Sequence, residues 1–402
     1  MKLPTEVSNL LTRLESKGFE AFVVGGCVRD SLLNKKPADW DICTSAYPED
    51  VQAIFPDHFV LPTGLKHGTV TVVSDGIHVE ITTYRKDGIY LDSRHPESVT
   101  YTEEIKEDLK RRDFTINAMA YSPKKGLLDY FNGRNHLKKG VLCCVGDPVT
   151  RFSEDALRIL RGLRFAAGYG LTIEPKTARA IHLCRDGLKS ISAERILTEL
   201  KKLLISPDFA RILADFPDIL GIVFPEAEDL FISSAQWKEF MQRLSVLPCS
   251  FPLRLAAIFY WFHSVGDYQK RCDSSIKLLK PDRKTYQHFM TLIQYQNSPF
   301  PATLAETRRF IGNHGKVIFT ELLEWRSIQF QESMDIAKHF FAEIQEKKLC
   351  CSIPELAIKG HDLMKKGLSG TEIGQALSAV FYQVTEGNLP NEKKALLKFL
   401  FS

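Results

Sequence analysis

The chain has 402 residues, 44% hydrophobic and 25% charged, with a formal net charge of +4. Those proportions suit a globular protein of two to four compact units and exclude a disordered or low-complexity chain. No apolar run of about 18 residues occurs, so no membrane span is expected, and nine cysteines without a CxxC pair exclude the common zinc patterns and suit a reducing cytoplasm.

The N-terminal stretch MKLPTEVSNLLTRLESKGFEAF reads as an amphipathic helix with no secretory signal. Strand-like runs follow in EAFVVGG, ADWDICT, GTVTVVS and HVEITTY, rich in Val, Ile, Thr and aromatics. After about Asp147 helical periodicity takes over, in SEDALRILRGLRFAAGYG, KTARAIHLCRD and SAERILTELKKLL and in most later segments. The expected architecture is a small sheet domain followed by a long helical array, without internal repeats.

FVVGGCVRDSLL reads as strand, Gly25–Gly26 turn and helix. Two glycines let the backbone approach a ligand closely, the helix start offers N–H groups to an anion, and Arg29 could reach the same phosphates. A plain tight turn is the competing reading. In ADWDICT, strand alternation puts Asp39 and Asp41 on one face. Adjacent carboxylates repel, and a cation between them relieves that; all-oxygen ligation suits Mg²⁺. A solvated strand end is the alternative for the pair taken alone. Together, GGxVRD and DxD resemble the nucleotidyltransferase superfamily related to DNA polymerase β. The resemblance implies two Mg²⁺ ions on Asp39 and Asp41, a triphosphate near Gly25, Gly26 and Arg29, and Glu80 as a candidate third carboxylate.

In EDLKRRDFTINAMAY three basic residues, Lys110, Arg111 and Arg112, precede Asp113. RRDFTINA resembles a signature shared by class II tRNA nucleotidyltransferases and bacterial poly(A) polymerases. The resemblance implies that Arg112 contacts the nucleotide and that Asn117 supports the site.

SEDALRILRGLRFAAGYG reads as one helix capped by Ser153, with Asp155, Arg158, Arg161 and Arg164 largely on one side and Leu157, Ile159, Leu160, Leu163 and Phe165 on the packing face. A surface salt bridge between Asp155 and Arg158 is the plain alternative. The segment resembles the EDxxR motif of the CCA-adding family, which implies that Asp155 and Arg158 read the base, with Arg161 and Arg164 holding ribose, phosphate or partner side chains. The chemistry is consistent: cytosine and adenine offer an amine donor beside a ring-nitrogen acceptor, and a carboxylate beside a guanidinium is complementary to that edge. From Arg151 to Lys202 there are eleven Lys/Arg against six Asp/Glu, a local excess of the kind found in polyanion binders.

The resemblance spans roughly the first 205 residues. GLKHGTVTVV, followed by the Tyr84 to Val99 stretch that corresponds to the family's flexible loop, resembles CCA-adding members more than poly(A) polymerases. The resemblance implies an α+β fold, with a polymerase-β-like sheet head (1–140), helical neck (141–205), helical body (206–300) and helical tail (301–402). It also implies addition of C, C and A to tRNA from CTP and ATP, with contacts to the acceptor stem and elbow. Poly(A), CC-adding and A-adding enzymes are the alternatives. His361–Asp362 invites a phosphohydrolase reading, but that site needs a later Asp, and none follows Asp362.

Overall fold

The computed structural model describes residues 1–62, 64–88, 99–225, 235–263, 266–331 and 333–401; residues 89–98 of the expected flexible segment lie outside them. The chain divides into two compact units, Met1–Ser233 and Ser234–Ser402. That division falls inside the 206–300 segment expected as one body.

The first unit opens with α1 (Thr5–Ser16), β1 (Ala21–Val24), α2 (Gly26–Leu32), β2 (Trp40–Thr44), α3 (Pro48–Ile54), β3 (Phe59–Leu61), β4 (Thr69–Ser74) and β5 (Ile77–Thr83). It continues through β6 (Arg85–Asp87), β7 (Val99–Tyr101), α4 (Ile105–Lys110), β8 (Ala120–Ser122), β9 (Gly126–Leu128), α5 (Gly133–Lys139) and β10 (Val141–Leu142). Seven strands form a mixed sheet in the order β3-β4-β5-β2-β1-β8-β9. Only β2 and β5 run parallel within it. β1 reads AFVV and is buried at every position, as a strand covered on both faces should be. β5 alternates instead, with Val79 and Ile81 inside and His78 and Glu80 outside. Asp75 and Gly76 join β4 to β5 with φ of 47° and 81°, the twist-matched geometry of a two-residue hairpin. α1 buries Val7, Leu10, Leu11 and Leu14, the spacing of one helical face.

The same unit continues with α6 (Pro148–Glu154), α7 (Leu157–Tyr169), β11 (Thr172–Ile173), α8 (Pro175–Cys184), α9 (Ala193–Leu204), α10 (Phe209–Asp215) and α11 (Pro217–Val223). The single helix expected from Ser153 onward is in fact two. Asp147 starts α6 by accepting the Thr150 N–H at 3.0 Å, with Pro148 in the first turn. Ser153 is therefore interior to α6, and its hydroxyl donates to the Val149 carbonyl. At Asp155 the backbone is extended, with φ −146° and ψ 102°, and its carboxylate accepts the Leu157 N–H at 3.1 Å. Asp155 thus sits at the break, not on the helix that carries the arginines. The packing face holds: Leu157, Ile159, Leu160, Leu163 and Phe165 are all buried. A Cβ on Gly162 would lie 2.9 Å from the Phe114 ring, so α7 lies directly against the RRDFTIN segment.

Among its described residues the second unit has helices and no strands: α12 (Ala235–Leu244), α13 (Phe251–Phe259), α14 (Tyr268–Leu278), α15 (Arg283–Tyr295), α16 (Leu304–His314), α17 (Lys316–Gln329), α18 (Asp335–Glu346), α19 (Gly360–Met364), α20 (Gly370–Thr385) and α21 (Lys393–Phe401). One apolar cluster gathers Ile311, Phe319 and Leu323, and another gathers Ile358, Leu363, Val380 and Leu396. Asp362 accepts the Lys359 N–H at 3.0 Å and the Lys393 ammonium at 2.6 Å, a capping and tethering role.

The sharpest steric constraint near the sheet is at Gly133, where a Cβ would fall 2.1 Å from the Thr115 carbonyl oxygen. Gly133→Ala is expected to lower stability by about 1–3 kcal/mol through overpacking. Gly140→Ala, which meets no atom but has φ of 67°, should cost about 1 kcal/mol. Urea midpoints of the two variants check the order; equal midpoints would show that Thr115 yields freely.

Candidate active site

Gly25 opens α2 with φ of 81°, and a Cβ there would meet the Arg112 guanidinium at 3.0 Å. Glycine is required both for the turn and for the room that Arg112 takes. Four residues on, Arg29 is buried and fixed on several sides. It donates to Asp30 at 2.9 Å and to the Asn117 side-chain oxygen at 2.6 Å, and its guanidinium lies 4.3 Å from the Tyr169 ring centroid.

Asp39 lies one residue before β2 rather than within it, while Asp41 is the second residue of that strand. Asp41 is paired in register with Glu80 of β5. Its carboxyl is pushed up to about 6, first by burial, then by the charge of Asp39, with Glu80 adding and Arg112 opposing. Glu80 itself is exposed and is not among the residues lining the cavity described below.

Asp113 joins Arg161 of α7 to the RRDFTIN segment. One of its oxygens accepts the Phe114 N–H at 2.8 Å and the Asn117 amide at 3.2 Å. The other accepts Arg161 twice, at 2.9 and 2.6 Å. Burial pushes the Asp113 carboxyl up, but Arg161 and these hydrogen bonds outweigh it and bring it down to about 2. Asp108, wholly buried, accepts Arg111 at 2.8 Å and Arg112 at 3.3 Å. Arg111 and Arg112 are thus both held by Asp108, while Asp113 turns to Arg161.

Asp155 and Arg158 line the same space, and their side chains are each held by other residues. The second Asp155 oxygen accepts Arg195 at 2.8 Å. Arg158 donates to Glu154 at 2.6 Å, to the Arg151 carbonyl at 3.1 Å and to the Arg111 carbonyl at 3.2 Å. Arg195 on α9 has no role in the sequence reading. The available signal was the pair Arg195 and Glu199 one turn apart on an amphipathic helix, with Glu199 buried. Charge on a buried face usually means a partner, and here the partners are Asp155 for Arg195 and Arg164 for Glu199.

These groups converge on one cavity of about 520 Å³. Asp39 and Asp41 contribute to its lining, as do Gly25, Gly26, Arg29 and Arg112. Asp113, Asp155, Arg158, Arg161 and Arg195 complete its charged lining with Arg111. Arg164 is the exception among the expected site residues: its Nε donates to Glu199 at 2.6 Å, and it lines a neighbouring cavity of about 360 Å³. A larger cavity of about 880 Å³ lies in the second unit, but none of its lining residues is a carboxylate. Among the described residues no three His, Cys, Asp or Glu side chains gather as in a fully protein-ligated metal centre. Two carboxylates suffice for Mg²⁺, which keeps waters and substrate oxygens as its other ligands. The raised Asp41 is the mark of a pair that a cation would relieve.

A carboxyl raised in the folded state binds its proton more tightly there than in the unfolded chain. Asp41 therefore favours folding as pH falls from about 6 toward about 4 and disfavours it above. Without divalent cation, Asp41→Asn is expected to be more stable than the wild type at neutral pH, by about 1–3 kcal/mol. The gap should close as pH approaches about 4. Denaturant titrations at several pH values test this; a gap independent of pH would contradict the assignment.

Three family models match the chain: the poly A polymerase head domain over residues 21–143, the "Probable RNA and SrmB-binding site of polymerase A" over 170–230, and tRNA nucleotidyltransferase domain 2 over 257–400. The CCA-adding enzyme of Leuconostoc mesenteroides is 34% identical over 401 residues, 97% of this chain and 94% of that protein. That of Limosilactobacillus fermentum is 35% identical over 399 residues, with the same shares covered. The crystal structure of the Bacillus stearothermophilus CCA-adding enzyme in complex with CTP is similar with a TM-score of 0.75 and 28% identity, over 100% of this chain and 97% of that one. With its sheet head, its cavity of paired carboxylates and arginines, and this similarity over nearly its whole length, the chain belongs to the CCA-adding enzyme family of nucleotidyltransferases.

Proposed function

We propose that the chain adds C, C and A in turn to the 3′ end of tRNA, from CTP and ATP with release of pyrophosphate, by two-metal nucleotidyl transfer with protein side chains selecting the base. The observation that carries this reading is the convergence of carboxylate pair, glycine turn, arginines and the Asp155–Arg158 wall on one cavity. The relative solved with CTP supports the nucleotide class, and the tRNA nucleotidyltransferase match over 257–400 supports the acceptor.

Asp39 and Asp41 would hold Mg²⁺. When bound, such ions make the attacking 3′-hydroxyl more acidic and neutralise the triphosphate and leaving pyrophosphate. The Gly25–Gly26 turn leaves room for Arg112 and Arg29 to stand where the triphosphate would bind. Arg29, its plane fixed by Asp30, Asn117 and Tyr169, and Arg112, held on Asp108, supply positive charge there without having to reorganise. Arg161, gripped by Asp113, adds to the same field.

Asp155 uses one oxygen to cap α7 and the other to accept Arg195. A carboxylate has about four acceptor positions, so it can still accept from the exocyclic amine of cytosine or adenine. Arg158, oriented by Glu154 and two carbonyls, donates to the ring nitrogen. Uracil and guanine present a carbonyl beside a ring N–H and leave both groups mismatched, which disfavours them.

In this reading residues 1–140 are the catalytic head, 141–205 the base-reading neck, and 206–300 and 301–402 a body and tail on the acceptor stem and elbow of the tRNA. The nine cysteines are free, which suits a cytoplasmic enzyme. No described helix is long and apolar enough to cross a membrane.

Purified protein with tRNA lacking CCA is expected to add two residues from CTP alone and to finish with one A when ATP is also present. Runs of A from ATP alone would make it a poly(A) polymerase, and arrest after CC a CC-adding enzyme. Asp39→Ala and Asp41→Ala should each abolish addition while tRNA binding persists; normal turnover in either would remove the metal assignment. Asp155→Asn, which preserves an acceptor for the Leu157 N–H, should lower discrimination against UTP and GTP by roughly tenfold to a hundredfold, the worth of a hydrogen bond to a charged group. A four-nucleotide competition reads it, and unchanged selectivity would place the base reader elsewhere.

A further inference from the structure

Beside the catalytic cavity lies the second one, of about 360 Å³, bordered by the turn after α2 and by the C-terminal ends of α7 and α9. The two adjoin. Arg29 of the first bonds Asp30 of the second, and Phe165 of the first carries the Arg164 guanidinium 4.0 Å from its ring centroid. Four cations line the second cavity: Lys35, Lys36, Arg164 and Lys202.

The local chain places them deliberately. Asn34 takes a left-handed φ of 56°, and the Lys35 N–H closes back on the Asp30 carbonyl at 2.8 Å, so α2 ends by turning Lys35 and Lys36 out. Lys202 stands in the last turn of α9, where the helix field favours a cation. Arg164 is held through Nε by Glu199 and stacked on Phe165.

The one carboxylate in the lining, Asp30, is already engaged: it accepts Arg29 at 2.9 Å and the Tyr169 hydroxyl at 2.8 Å. Among the described residues neither Lys36 nor Lys202 forms an ion pair. The Tyr169 ring already carries Arg29 at 4.3 Å and Lys35 at 4.8 Å, so it is not offered to a stacking base. The cavity has no carboxylate pair to hold a metal–triphosphate, and its lining has charge without base-reading groups. Such a site takes backbone phosphate irrespective of sequence.

Resting on the reading of tRNA as the acceptor, we propose that Lys35, Lys36, Arg164 and Lys202 bind a backbone phosphate of the tRNA strand being extended, holding that strand beside the catalytic cavity. The site makes no use of base identity, which suits an enzyme that acts on many tRNAs and whose 3′ end changes with each addition.

The test is Lys36→Gln combined with Lys202→Gln, both at exposed positions. Expected is a rise in the KM for tRNA of roughly tenfold and a log–log salt dependence of tRNA binding shallower by about 0.7–0.9 per lysine. The kcat at saturating tRNA and the KM for CTP should stay within about twofold, since the nucleotide cavity is untouched. As a second measure, amine-reactive labelling of Lys36 and Lys202 in the wild-type protein should be blocked by tRNA and not by pyrophosphate or CTP. An unchanged KM for tRNA with an unchanged salt slope overturns the proposal. So does protection by pyrophosphate alone, which would make the cavity an exit for the leaving group. Failure of the functional reading would look different: the wild type would then add nothing to tRNA, whereas failure of this inference leaves wild-type addition intact.

Discussion

Asp113 is buried, and its two oxygens receive N–H groups from Phe114, Asn117 and, twice, Arg161. Through Asn117 the same network reaches Arg29 and Asp30, both on α2. Through Arg161 it reaches Glu199, 4.0 Å away on α9, and so Arg164. One carboxylate thereby joins the RRDFTIN segment to the helices that carry the arginines. Removing one partner from such a buried ion pair costs more than the pair contributes when whole, because the remaining charge stays desolvated. The arginines that face the cavity consequently have little freedom to turn away from it.

That rigidity sets the electrostatics. Asp39 and Asp41 form one wall, with Asp41 raised by burial and by its neighbours. Arg29, Arg112, Arg158 and Arg161 contribute to the opposing charge. Groups already fixed by internal partners can stabilise a charged substrate without being reoriented at the moment of reaction. The same fixing separates the two cavities. Arg161 and Arg164, one helical turn apart on α7, both reach Glu199 but line different spaces.

The break at Asp155 changes how the base-reading wall is built. On one continuous helix, Asp155 and Arg158 would project as neighbours three residues apart. Instead Asp155 leaves the helix, caps α7 and takes Arg195 from α9, while Arg158 is anchored by Glu154 at the end of α6. Each group receives its orientation from a different helix. The spacing between them is therefore a property of how α6, α7 and α9 pack, and Arg195 holds Asp155 in place although it lies forty residues away.

Much of this was legible in the chain itself. The alternation of HVEITT, the solid apolar run AFVV and the spacing of Val7, Leu10, Leu11 and Leu14 correspond to β5, β1 and α1, because strand and helix periods are imposed locally by the backbone. The Gly25–Gly26 turn and the carboxylate pair were legible for the same reason: neighbours in sequence stay neighbours in space. Tertiary structure alone decided that Asp155 sits between helices, that Arg195 is its partner, that Glu80 stays outside the cavity and that Arg164 faces a second one. Those outcomes depend on buried charges finding distant partners, 48 residues apart in the Asp113–Arg161 pair and 88 in the Arg29–Asn117 pair. Desolvation makes such pairing compulsory, but local sequence does not say which partner the packing will bring within reach.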